Sequence, residues 1–297
     1  MEFDVDTLEQ SLSPASSPAS SPAAFPESVS PSQFASALQS ACPPLVLDVR
    51  REERFRESGR MAPQGHWCAP EDVAAFAASR PHARALVYCV HGLEVGKKAA
   101  ADLRAAGWEA AYLEGGIERL IDESLPTWRK RPDYGVDGEH PSKWITRARP
   151  KIDRIACPWL VRRFIDPLAQ FFYVPASSVF DEAKRMGAVA YDIPGAPITH
   201  EGDQCSFDAV IRAFDLQDPA LESLARIVRG ADTDRLDLAP QSAGLLAVSL
   251  GLSALHEDDH AMLAAAMPVY DALYAWCRTA HGETHSWNAA GPAAVAP

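Results

Sequence analysis

The chain has 297 residues, of which 47% are hydrophobic and 23% charged, and its net charge is -12. That composition suits a chain of one to three folded domains with a core large enough to need neither disulfides nor a structural metal. The acidic balance argues against non-specific binding to nucleic acid or an anionic membrane, because both repel it.

The first residues, MEFDVDTLEQ, lack the basic and apolar regions of a secretory signal, so none is expected. Residues 1–33, rich in Ser, Pro and Ala, read as a disordered leader that cannot bury enough apolar surface to offset its ordering entropy. Folded patterning is expected from Phe34. LVLDVR (Leu45 to Arg50) and ALVYCV (Ala85 to Val90) read as buried strands, with DVAAFAASR helical between them. HGLEVG is a loop, and KKAAADLRAAGW an amphipathic helix closed by Gly107. AAYLEGGIERL is a third strand, a Gly-Gly turn and a helix start. Strands alternating with helices predict an α/β unit built on a parallel sheet over residues 34–130.

Residues 131–142 shift to Pro, Gly and charge and read as an interdomain linker. Residues 143–281 read as mainly α-helical, with strand-like pieces at QFFYVP and AVAYDI. The helical tracts are CPWLVRRFID, SFDAVIRAFDL, PALESLARIVRGA, SAGLLAVSLGLSAL and DDHAMLAAAMPVYDALYAWCR. Residues 282–297 read as a flexible tail. No run of about 18 apolar residues is present, so no membrane span is expected. The six cysteines are scattered without a CxxC pair, as in a cytoplasmic protein with free thiols.

Cys89 ends a predicted strand just before a glycine-containing loop and a helix, which is where parallel sheets bind ligands. Backbone N–H groups and a helix N-terminus there would favour a nucleophilic thiolate. A buried core cysteine is the other reading of that position. His91 supplies positive charge or a proton, or is a solvated loop residue. Cys68, in GHWCAP, is a resolving thiol or a structural one.

In the second half, Cys157-Pro158 opens an apolar run, and a proline at the first helical position would put Cys157 beside an N-cap. With Arg154, Arg162 and Arg163 this is compatible with an anion-binding corner, to which Arg229 and Arg235 are further candidates; a buried cysteine with two surface arginines is the other reading, and the one that spacing alone favours. THEGDQCSFD supplies His200, Asp203 and Cys205, ligand types that suit Zn or Fe, while Ser206 and Asp208 are explained by helix capping. Asp232 and His260 are candidate partners from elsewhere in the chain. HEDDH (His256 to His260) matches the H-E-x-x-H expression, but an N-cap at Asp258 or Asp259 would place His256 outside the helix and break the i, i+4 geometry.

Two resemblances add to this. Asp48 to Arg50, the strand–Cys–loop–helix from Val87, and YLEGGIERL together resemble a rhodanese domain. The resemblance implies that Cys89 carries sulfane sulfur as a persulfide, with Asp48, Arg50 and Gly92 supporting the loop. Glu94 departs from the family pattern, which often has an arginine there. A carboxylate at that point repels an anionic donor such as thiosulfate by a kcal/mol or so. KWITRARPKIDRIACPWLVRRFIDP, HEGDQCSFDAVIRAFDL, VRGADTDRLDLAP and the last helix resemble the C-terminal domain of ChrB-type chromate-resistance proteins.

The expected function is therefore that of a cytoplasmic chromate-stress protein with a thiol or persulfide site and an anion- or metal-binding helical domain. Its partners would be small anions: chromate and a sulfane-sulfur donor. A homodimer is compatible with the sequence. The second reading is a non-catalytic sensor or docking module that binds chromate or metal and signals to a partner.

Overall fold

The computed structural model describes residues 25–40, 42–280 and 282. The first unit contains β1 (Ser28–Val29), α1 (Pro31–Leu38), β2 (Leu45–Asp48), α2 (Glu52–Glu57), β3 (Arg60–Met61) and β4 (Gly65–Trp67). It continues through α3 (Val73–Ala78), β5 (Arg84–Tyr88), α4 (Glu94–Ala105), β6 (Glu109–Leu113), α5 (Gly116–Asp122) and β7 (Trp128–Arg129). Five strands form a parallel sheet in the order β1-β6-β5-β2-β4, so β5 is central. Alternate residues of each strand face opposite sides. Leu47, Val87 and Cys89 pack with Ala77 of α3 and Leu103 of α4, whereas Val46, Leu86 and Tyr88 pack with Phe34 of α1 and Leu120 of α5. This is the α/β class predicted for the unit, with helices on both faces.

The expected leader ends sooner than Phe34. Its first 24 residues lie outside the described ones, but Ser28–Val29 adds an edge strand to the sheet, and Pro31 opens α1. Ser30 and Gln33 form a reciprocal capping box there, which the Pro/Ser-rich composition conceals.

Residues 131–142, expected as a linker, are held on the first unit: Trp67 N donates to Gly138 O at 2.9 Å, Arg56 pairs with Glu139 at 2.6 Å, and Val136 is buried. The second unit contains β8 (Lys143–Arg147), α6 (Asp153–Leu160), β9 (Gln170–Val174), α7 (Val179–Met186), β10 (Val189–Ala190) and α8 (Ser206–Ala213). It ends with α9 (Pro219–Asp232), α10 (Gln241–Leu255) and α11 (Asp259–Ala275). It is mainly helical, as expected. A small parallel sheet, β10-β8-β9, lies beside the helices, with Val179 and Ala183 of α7 packed on Ile145 of β8. A single core runs through α6, α8, α9 and α11 and extends to Phe55, Met61 and Trp128 of the first unit. Among the described residues, no helix is long and apolar enough to cross a membrane.

Cys157 is not at an N-cap. α6 begins at Asp153, and Pro158 lies inside the helix. An interior proline cannot donate to the carbonyl four residues back. Here that carbonyl, Arg154 O, accepts from Tyr191 Oη at 3.2 Å, and the helix runs on as a π-turn over Val161–Ile165.

Candidate functional site

Two groups of chemically capable side chains stand out, one in each unit. The first surrounds Cys89, which immediately follows the central strand β5. Its carbonyl accepts from Ile117 N at 3.0 Å, and the Val90 carbonyl accepts from Glu118 N at 3.3 Å, so the loop is tied to the start of α5. Gly92 has φ +65°, and a Cβ there would lie 2.3 Å from Leu113 O, so only glycine lets the loop lie this close to its neighbour. Gly96, in the first turn of α4, would bring a Cβ within 3.3 Å of Cys89 Sγ. The thiol thus sits against the N-terminal turn of a 12-residue helix. It opens on a cleft of about 970 Å³ whose walls include Arg50, Arg51, His91, Glu94 and Lys97.

Asp48 and Arg50 are tied to each other beneath this cleft. The Asp48 carboxylate accepts from Arg50 N at 3.0 Å, Arg50 Nε at 2.9 Å and Tyr88 Oη at 3.0 Å. Arg50 also donates to Arg60 O at 3.1 Å. His91 Nδ1 lies 3.0 Å from Glu118, and both side chains are exposed. Glu94 occupies the first turn of α4. Arg51 has no ion-pair partner among the described residues, leaving a cation at the cleft wall. Cys68 is outside the cleft, and burial, reinforced by Asp72, pushes its thiol up to about 11.

The second group draws one side chain from each of four places: Asp153 opens α6, Asp192 follows β10, His200 lies in the next loop and Asp232 ends α9. His200 Nε2 lies 3.1 Å from Asp232 Oδ2, 3.3 Å from Asp192 Oδ1 and 3.5 Å from Asp153 Oδ2. His200 is 40% exposed, whereas Asp153 is fully buried and Asp192 nearly so. Ser206 holds two of the carboxylates in place: its N–H donates to Asp153 and its Oγ donates to Asp192 at 2.8 Å. Arg154 Nε is 3.3 Å from Asp192 Oδ2. Burial, then the nearby Asp232 and Asp192, pushes the Asp153 carboxyl well above the usual range. Its bond to Asp192 is the main reason that His200 is raised to about 9.

The metal candidates separate on this geometry. His200 and Asp232 join the group. Asp203 is exposed in the loop, and His260 packs edge-on against Tyr173 with ring centres 5.5 Å apart. Cys205 is buried beside Asp208, with 3.4 Å between Sγ and the carboxylate, and also neighbours Asp153. It is also the N-cap of α8, a place expected for Ser206; Asp208 instead accepts the Cys205 N–H at 3.0 Å, which frees the serine hydroxyl for Asp192. Burial pushes the Cys157 and Cys205 thiols up, so neither is a ready thiolate. As argued from the cap of α11, His256 stays outside that helix, with Asp258 as its N-cap.

The arginines expected to form an anion corner do not converge. Arg163 makes a two-pronged contact with Asp271, both bonds 2.8 Å. Arg229 binds Asp208 in the same way at 2.9 and 2.6 Å, and Arg235 pairs with Asp237 at 2.9 Å. Arg162 donates to Ala169 O at 3.4 Å. Asp153 and Asp192 were missed as ligands by sequence reasoning. The usable signal was Asp192 itself, an acid between a short apolar strand and a Pro-Gly turn.

Residues 144–277 match the family described as ChrB, C-terminal domain. The second unit is thus similar to the C-terminal domain of the ChrB family. Protein ChrB of Cupriavidus metallidurans is 32% identical over 153 residues, which are 48% of this chain. The chain spans 45% of the length of that relative. All four members of the acid–histidine group lie within the residues that match this family. The first unit is similar to a rhodanese homologue from Thermus thermophilus, with 29% identity over 31% of this chain and 99% of that one and a TM-score of 0.27. A rhodanese-like domain from Anabaena shows 22% identity over 34% of this chain and 78% of that one, with a TM-score of 0.31.

Proposed function

We propose that this protein acts in chromate resistance and that Cys89 carries sulfane sulfur as a persulfide. The placement of Cys89 carries the reading: it follows the central parallel strand, lies against a helix N-terminus and opens on a cleft. The resemblance of the second unit to the ChrB family supports the setting in chromate resistance. Six free cysteines suit a cytoplasmic location, where thiols stay reduced.

The reaction needs a deprotonated thiol. The Cys89 thiolate attacks the outer sulfur of a hydropersulfide donor R–S–SH. The donor S–S bond breaks, RSH leaves after taking up a proton, and Cys89 holds the transferred sulfur as Cys–S–SH. An acceptor thiol reverses the exchange. Loop backbone N–H groups and the start of α4 would stabilise the anionic sulfur. Glu94 in the first turn of α4 disfavours a dianionic donor, so a hydropersulfide is preferred over thiosulfate.

The test is intact-protein mass spectrometry after incubation with glutathione hydropersulfide or thiosulfate. The expected result is one added sulfur from the hydropersulfide, lost on cyanide treatment as thiocyanate and absent in Cys89→Ser. If neither donor loads the wild type, the persulfide reading fails and the first unit is left as a docking module. Chromate tolerance of a host carrying wild type or Cys89→Ser tests the biological setting.

A further inference from the structure

We propose that Asp153, Asp192, His200 and Asp232 form a binding site for one divalent first-row ion of the manganese, iron or zinc class. The spacing of Asp153, Asp192 and His200 carries this first, with Asp232 meeting the group through His200. Ligands about 2.1 Å from a common ion lie about 3.0 Å apart at right angles and about 3.4 Å apart at tetrahedral angles. The three separations from His200 Nε2 are 3.1, 3.3 and 3.5 Å. Ligand atoms of Asp153, Asp192 and His200 also all lie within 4.8 Å of one another.

The second observation is independent of spacing. Asp153 is fully buried, and its Oδ1 has no hydrogen-bond partner. A buried carboxylate oxygen without a donor is costly, and a cation removes that cost. The arginine beside the cluster does not do so: Arg154 faces Asp192, and Arg147 lies farther out, 3.9 Å from the same carboxylate.

The donor set then fixes the class of ion. Three carboxylates and one imidazole favour borderline ions over soft monovalent copper, and the single imidazole distinguishes the site from all-oxygen magnesium or calcium cages. Exposed His200 lies over the buried carboxylates and gives the ion a way in. The other acid–histidine group, Asp137, Glu139 and His140, differs in the feature that matters. Its Asp137 carboxylate already accepts the Glu139 and His140 N–H groups at 2.8 and 3.2 Å.

The site is distinct from Cys89, so its test stands apart from the persulfide reaction. The full-length protein is stripped with chelator, checked for folding by circular dichroism, and titrated with Mn(II) alone and Zn(II) alone. Binding is read by electron paramagnetic resonance for Mn(II) and by calorimetry for both. The expected result is one ion per chain, with affinity lowered at least about tenfold in folded His200→Ala and Asp232→Asn and unchanged in His260→Ala. No binding of either ion to the folded wild type would overturn the proposal. So would binding that survives both His200→Ala and Asp232→Asn.

Discussion

Asp48 and Arg50 are each no more than 1% exposed, and that burial sets the size of a testable effect. In Asp48→Asn the Arg50 charge loses its counter-ion while its guanidinium stays 5.7 Å from the rings of Phe55 and Tyr88. Breaking a buried pair from one side typically costs about 3–5 kcal/mol, because the remaining charge is stranded away from water. Asparagine keeps one oxygen that can accept, so the expected cost is near the lower figure, about 3 kcal/mol. Arg50→Met strands the carboxylate instead, with the Tyr88 hydroxyl as a surviving donor, and should cost about as much. The double change Asp48→Leu with Arg50→Met removes both charges and leaves the Tyr88 hydroxyl without its acceptor, so about 1–2 kcal/mol should be lost. Urea unfolding of the full chain is the assay, followed by tryptophan fluorescence. Trp67 reports locally, since its Nε1 donates to Arg50 O at 2.9 Å. Single variants within about 1 kcal/mol of wild type, or a double variant as costly as the sum of the singles, would refute the reasoning.

Two further outcomes follow from single side chains. Glu94→Arg replaces the anion in the first turn of α4 with a cation, so thiosulfate loading of Cys89 should rise about tenfold at low ionic strength, and less in high salt; a salt-independent or absent gain would remove Glu94 as the source of donor preference. Lys130 is partly buried, donates to Phe55 O at 2.5 Å, and is lowered to about 8, mainly by burial and then by Arg50. Between pH 8 and the ordinary lysine value the unfolded chain holds the proton more tightly, so this residue makes stability rise with pH across that window. After allowance for solvent screening the rise is about 1–2 kcal/mol. Urea midpoints at pH 7.5 and 9.5 should therefore diverge between wild type and Lys130→Met; parallel pH profiles would contradict the lowered value.

The first unit is largely legible in the sequence because its signals are local. Buried strands such as LVLD and RALVY are short apolar runs bounded by charge, and the Cys89 loop follows directly on one of them. The helices α8 to α11 are visible for the same reason, from apolar spacing alone. What escaped the sequence depends on distant partners. β8 reads KWITR, with charged ends, and is a strand because it lies between β9 and β10. Pro158 looked like a helix start because the hydroxyl that makes it tolerable belongs to Tyr191. The acid–histidine group was half seen: His200 and Asp232 stand in dense polar stretches, whereas Asp153 and Asp192 are single acids next to apolar segments. Only the fold brings all four together. The arginine corner failed for the complementary reason, since Asp208 and Asp271, which hold Arg229 and Arg163, come from other helices.

The backbone around Asp153 explains why so much of the second unit bears on one carboxylate. Ile152 has φ +39° and Asp192 has φ +50°, and a β-branched residue in that region is strained. Such a turn persists only where its surroundings hold it. Here Ile152 N donates to Ser249 Oγ of α10 at 3.3 Å, and Ile152 O accepts from Tyr270 Oη of α11 at 3.0 Å. Asp153 N in turn donates to Asp232 Oδ1 at 3.4 Å. Two helices thus hold the turn that starts α6, and the last residue of α9 meets it from the other side. The same turn sends the Asp153 carboxylate beneath His200, where Ser206 fixes one oxygen and leaves the other without a donor. Strain and a buried carboxylate oxygen without a partner at one point are the pattern expected where structure is arranged around a ligand.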